Sequence, residues 1–285
     1  MADDKDVKNE KNEREKSTSE KGINHHKKRK GIQNLEGIVT FLIVPVVLVI
    51  IWQIFSDLGY INQHILPSPK REIETFWDLV SSGKLQGHLL VSGGRVLKGF
   101  LIGSVAGIIL GSIMGFSKMI NKLLISLVGI FRPIPMIAWI PMLILWMGIG
   151  EESKVTVIAI GSFWPILLNT IQGILSVDGK LLEVASILEK NKWQIVSMVV
   201  FPAALPSIFT GIRLGVGAAW TCVVAAEMIA ASQGIGFMIT YARELTQPHI
   251  MLVGVFSIGL IGLLIDTLIL RIQKHLLKWS VNMKK

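Results

Sequence analysis

The sequence is poor in the residues that carry covalent and redox chemistry. Among 285 residues there is one cysteine, Cys222, which excludes an intramolecular disulfide and a thiolate metal cluster. It stands in an apolar run, where a small buried hydrophobe is expected. Of the six histidines, His25 and His26 lie in the N-terminal tail, His64, His88 and His249 near the ends of apolar segments, and His275 near the C-terminus. No pair has metal-ligand spacing on a predicted span. Neither a Gly-x-Ser-x-Gly elbow nor a Walker phosphate loop occurs, so a catalytic set, a resident cofactor and a metal are not expected on this chain. That argues against a membrane-embedded enzyme.

Charge is scarce as well. Charged residues make up 17% of the chain against 51% hydrophobic, a balance that belongs to membrane proteins. The formal net charge of +9 could suggest nucleic acid, but the basic residues sit at the ends and loops of apolar stretches. That distribution is the mark of membrane topology, and no nucleic-acid partner is expected.

Residues 1–36 alternate in sign, hold almost no apolar side chains and are expected to form a disordered cytoplasmic tail. Lys27, Lys28, Arg29 and Lys30 would anchor it beside anionic lipid. Residues 37–88 hold a first span (about Ile38 to Phe55) and an outer connecting segment with an amphipathic helix through Ile73, Phe76 and Val80. Residues 89–272 form the core domain, and 273–285 a basic cytoplasmic tail. Five further spans are expected near Val96–Phe116, Leu123–Met147, Val155–Leu175, Ser207–Ala231 and Ile250–Leu270, the third broken by Pro133, Pro135 and Pro141. Gly103, Gly107 and Gly111 make a small-residue stripe for close helix packing. Counted from a cytoplasmic N-terminus, the C-terminus and the loop after the fourth span also come out cytoplasmic. The basic groups at Lys118, Lys122, Lys180, Lys190 and Lys192 agree.

That loop, Asp178 to Pro206, is too patterned to be a connector. Leu181, Leu182, Ala185 and Leu188 recur at helical spacing, Asp178 is placed to cap the helix, and Asn191 with Gln194 spells a capping box for a second helix. Pro202 and Pro206 are expected to close that second helix. An apolar face outside the bilayer calls for a protein partner.

Glu183-Val184-Ala185, then Glu189, then Val199, Phe201 and Pro202 fall at the spacing of the EAA loop of ABC-transporter permeases. The stretches ILPSPKREI, FRPIPMIAWIPMLILWMGIG, FWPILLNT and WQIVSMVVFPAALPSIFTGIRLGVGAAW resemble the nitrate/sulfonate/taurine branch. The resemblance implies an all-α integral membrane fold of six transmembrane helices with a cytoplasmic coupling helix. It assigns ATPase coupling to Glu183, Val184, Ala185, Leu188, Glu189 and Pro202. It also implies a permease homodimer, two cytoplasmic ATPase subunits that bind the ATP and Mg, an extracytoplasmic solute-binding protein, and residence in the cell membrane. The implied cargo is a small anion such as nitrate, a sulfonate or taurine, with thiamine-pyrimidine precursors as the alternative. An ion-coupled secondary transporter is the rival class, but no internal repeat supports it. Two departures stand out. Val184 replaces the first Ala. Glu189 stands where the family has Gly, and the left-handed turn can shift toward Asn191, which tolerates it better.

Three ionisable residues within predicted spans are functional candidates by default. Arg213 and Asp266 share a depth on neighbouring spans and read as a structural ion pair. Glu227, about four turns beyond Arg213, reads as a structural hydrogen bond or as part of the translocation path or gate. A bare carboxylate on an anion path must be neutralised, protonated or turned away. Trp139 and Trp220 read as interhelical packing or as residues of the path.

Overall fold

Described residues run from 43 to 277 in this computed structural model, and all their regular structure is helical. The predicted N-terminal tail, the first residues of the first predicted span and the end of the basic tail lie outside them. The chain forms two units that divide between Lys70 and Arg71. In the first, α1 (Ile43–Asp57) exposes nearly all its apolar side chains, as a helix surrounded by lipid does. Gln53 ties the following turn: its Nε2 donates to Asp57 Oδ1 at 2.8 Å and its Oε1 accepts from the Lys70 amide at 3.1 Å. The amphipathic helix expected next is α2 (Pro69–Ser81), with Pro69 at its start.

In the second unit, glycine decides which helices meet. Along α3 (Lys84–Phe116), Gly99, Gly103, Gly107, Gly111 and Gly115 lie four apart against α6 (Glu151–Leu175). A Cβ on Gly99 would stand 2.6 Å from Ile158 Cβ, and one on Gly111 2.8 Å from Thr170 Cβ. In lipid, where burying apolar area gives no drive to associate, such close backbone approach is what holds helices together. The opposite side of α6 receives α9 (Phe201–Ala230), where a Cβ on Gly211 would stand 2.7 Å from Asn169 Cβ. Hence α6 is the central helix, and its buried residues run through its whole length.

Between α3 and α6 lie α4 (Lys118–Phe131) and α5 (Met136–Met147), which meet at a 95° bend. The third predicted span is therefore not one straight crossing. Pro133 and Pro135 stand between the two helices and have no backbone N–H to continue either one; Arg132 is still in helical geometry (φ −58°, ψ −42°), and the chain turns extended at Pro135 (φ −58°, ψ 134°). After α6 come α7 (Gly179–Ile187) and α8 (Lys192–Ile195). α8 is not closed by Pro202 and Pro206, as expected. It continues through a π-turn (Val196–Val200) into α9, making one helix of 39 residues from Lys192 to Ala230. The π-turn pairs the Phe201 amide with Val196 O, so the ladder changes register just before Pro202. Pro202 then falls in the first turn of α9, where its missing N–H is tolerated.

The predicted outer loop before the last span contains a helix, α10 (Ile235–Glu244), followed by α11 (Pro248–Leu276). Four helices among the described residues are long and apolar enough to cross a membrane: α3, α6, α8–α9 and α11. The α4–α5 pair makes a fifth if it is one broken span.

Candidate functional site

The residues that would do chemistry gather at the two ends of this bundle. At one end the N-termini of α3 and α6 and the C-terminus of α9 enclose an ion network. Glu227 is only 1% exposed. Its carboxylate accepts from Arg95 Nη1 at 2.8 Å, from Ser92 Oγ at 2.8 Å and from the Gly236 amide at 3.0 Å. Arg95 in turn donates to Glu151 Oε2 at 2.7 Å and to the Gln233 carbonyl at 2.6 Å. Lys154 Nζ, 3.2 Å from Glu151 Oε1, completes a set of two cations and two anions. Arg95 and Glu227 are buried within it, whereas the Glu151 side chain is 62% exposed; the buried pair is stable only when its members are satisfied, and the hydrogen bonds above supply the partners.

Gly234 and Gly236 let the chain wrap this carboxylate. Gly234 has φ 117°, and a Cβ there would overlap the Glu227 carboxyl group. The Ile235 amide donates to Ser92 Oγ at 2.9 Å, and the Gly234 amide to His88 Nδ1 at 3.1 Å. Three helices and the turn into α10 are thereby pinned at one point. Glu227 is thus neutralised by a partner inside the chain.

Hydropathy places the start of the second span at Val96, which leaves Arg95 one residue outside it. α3 in fact starts at Lys84 and carries Arg95 three turns in. The available signal is a basic residue at the edge of one apolar run and an acid, Glu227, within another. Ser92 meets Glu227 only through long-range folding, Glu151 is joined to it only through Arg95, and Gly236 reaches back to it from nine residues on.

Trp220 is buried, and its Nε1 donates to the Ile258 carbonyl at 3.1 Å, joining α9 to α11. Trp139 packs on the same core and stands 6.1 Å from Phe131, ring centre to ring centre. Neither touches the Glu227 network through a described hydrogen bond. Arg213 Nε donates to Asp266 Oδ1 at 2.6 Å and Nη2 to Oδ2 at 2.9 Å, a two-point pair between α9 and α11. Both side chains are partly exposed, 38% and 47%.

At the other end of the bundle lies the helical loop. Asp178 caps α7 by accepting from the Lys180 amide, and Asn191 and Gln194 exchange both bonds of a capping box. Glu189 keeps the left-handed conformation (φ 50°), and Asn191 is extended (φ −70°, ψ 163°). The turn has not moved to Asn191, because capping requires the extended form there. Ala185 is 4% exposed, packed under the loop, so it cannot itself touch a partner. The outward face is Leu181, Val184, Ile187, Leu188 and Trp193, of which Ile187 and Trp193 are about 80% exposed. Glu183 lies on α7, and Pro202 lies in the first turn of α9.

Long apolar helices packed on glycine stripes, with ion pairs inside, define a multi-span helical membrane protein. The chain belongs to the family of binding-protein-dependent transport system inner membrane components, whose profile matches residues 103–279. It is 41% identical over 238 residues to the Bacillus subtilis (strain 168) protein assigned as aliphatic sulfonates transport permease protein SsuC, covering 84% of this chain and 86% of that one. It is 32% identical to the taurine transport system permease protein TauC of Escherichia coli (strain K12), covering 82% and 86%. The crystal structure of an amino acid ABC transporter with histidines shares the fold, at TM-score 0.58 and 16% identity, covering 72% of this chain and 98% of that one.

Proposed function

We propose that this integral membrane protein is the permease subunit of an ATP-driven importer, carrying a small organic or inorganic anion of the sulfonate, taurine or nitrate kind. Two copies form the pathway. Each receives one ATPase subunit, which binds the ATP and Mg, at the α7–α8 loop, and an extracytoplasmic protein delivers the solute. α1 and the α4–α5 pair complete six spans. The loop end faces the cytoplasm, where the basic residues gather.

The observation that carries this reading is the loop's outward apolar face. Five large apolar side chains stand exposed on short, capped helices, and such a patch marks a contact site. The helix that leaves the loop is continuous to the ion network. Trp193 and Glu227 lie on one helical run, about 50 Å apart at 1.5 Å per residue. A push at the loop therefore reaches the far end without crossing an interface. The Glu227 network holds the far end closed, and displacement of α9 would separate Glu227 from Ser92 and Arg95 on α3. This is the two-state element that ATP binding biases.

The test is uptake into proteoliposomes holding this chain, its ATPase subunit and its binding protein. Labelled taurine, an alkanesulfonate and nitrate are supplied outside. Accumulation of one of them that requires ATP is expected. Accumulation driven by an ion gradient without ATP would overturn the reading.

A further inference from the structure

Beside the ion network, and joined to it through His88, lies a pocket. It opens where the end of α2, the start of α3, α10 and the start of α11 converge, and its volume is about 530 Å³, within the range that small organic ligands occupy. Most of its wall is apolar. On that wall Phe237 and Tyr241 stack, ring centres 5.5 Å apart and planes 21° apart.

Its polar groups favour one charge. Lys84, an exposed lysine, is among the residues that line it. His88 also lines the pocket, and its Nδ1 accepts the Gly234 amide proton at 3.1 Å. An accepting Nδ1 fixes the neutral ring with its proton on Nε2, so the remaining nitrogen is a donor. No carboxylate lines the pocket.

We infer that this pocket binds a small organic anion with an apolar body. The acid group sits between Lys84 and His88, and the body lies against Phe237 and Tyr241. A cation would meet Lys84, and a bare inorganic anion would leave the aromatic wall unused. The inference rests on the pocket alone and holds whether or not the chain works in an importer. Occupancy would also bear on Gly234, whose amide is bound to His88 and whose backbone encloses Glu227.

Calorimetric titration of the full chain in nanodiscs of phosphatidylcholine tests this, with 1-butanesulfonate, sulfate and butyltrimethylammonium as probes. Saturable binding of butanesulfonate is expected, at least about tenfold tighter than sulfate because the butyl chain is buried. The cation should not bind. Lys84→Gln should weaken butanesulfonate by about tenfold through loss of a charge-assisted contact. Phe237→Ala should weaken it while leaving sulfate unchanged. Thermal unfolding midpoints of both variants, compared with the parent, establish that they are folded. Nanodiscs that include phosphatidylglycerol distinguish the sources of the anion: competition that Lys84→Gln abolishes identifies a lipid, and its absence a soluble solute. Absence of saturable binding, equal affinity for sulfate and butanesulfonate, or binding unchanged in both folded variants would overturn the inference.

Discussion

Arg95 and Glu227, 132 residues apart in sequence, meet at 2.8 Å with both side chains buried. Each depends on the other for its charge, since burial of either alone is costly. Arg95→Ala leaves Glu227 with Ser92 and an amide but no cation, and should destabilise the protein by about 3–5 kcal/mol. Glu227→Gln keeps size and hydrogen bonding and leaves Arg95 on Glu151, so it should cost less. Converting both residues to Ala should recover part of the Arg95→Ala loss. Unfolding of Arg95→Ala, Glu227→Ala and the double Ala variant in detergent closes the cycle, and simple additivity would show that the contact is not energetically coupled.

Glu189 occupies left-handed backbone with a side chain on it, at a cost of about 1–2 kcal/mol relative to glycine. Glu189→Gly should therefore stabilise the turn. The Lys190 amide, which donates to the Ala185 carbonyl at 3.2 Å, reports on it directly. Its hydrogen exchange should slow by at least about fivefold for 1 kcal/mol of local stability.

The Arg213–Asp266 pair is half open to its surroundings, so it should contribute far less than a fully buried pair. A double-mutant cycle to Ala is expected to give a coupling of about 1 kcal/mol or less. A value of several kcal/mol would mean that the pair is covered in the working assembly.

Glu72 on α2 is 7% exposed, and neither of its carboxyl oxygens has a hydrogen-bond partner. Burial pushes its pKa from 4.5 up to about 7, with Arg71 opposing. The native state thus favours the protonated acid. Stability should be highest below pH 4.5, fall as pH rises to about 7, and then level off. Glu72→Gln should remove this dependence and raise the unfolding midpoint at pH 8 more than at pH 5.

Local rules carry far in this sequence. The Asp178 cap, the Asn191–Gln194 box and the glycine stripe on α3 each depend on residues within a few positions, and all three are present as expected. Two of the failures are long-range, and the one at Pro202 is a local change of hydrogen-bond register. Ala185 looks like part of an outward face by spacing, yet the return of the chain through the π-turn covers it. Pro202 and Pro206 look like a stop, but a change of hydrogen-bond register lets the helix absorb the first. Arg95 belongs to the site only because α6, α9 and the turn before α10 close over it. No periodicity in α3 announces that.

Docking of an ATPase on the α7–α8 face is the centre of this account, and Ile187→Glu tests it most directly. Ile187 is 79% exposed, so the charge should leave the fold intact, unlike a bulky replacement of buried Ala185. The measurement is the affinity of the ATPase subunit for the permease in nanodiscs, with the unfolding midpoint recorded beside it. Expected are an unchanged midpoint, a loss of affinity of at least about tenfold as a charge is forced into an apolar contact, and loss of binding-protein-stimulated ATP hydrolysis. Unaltered affinity and hydrolysis in a folded Ile187→Glu protein would contradict it.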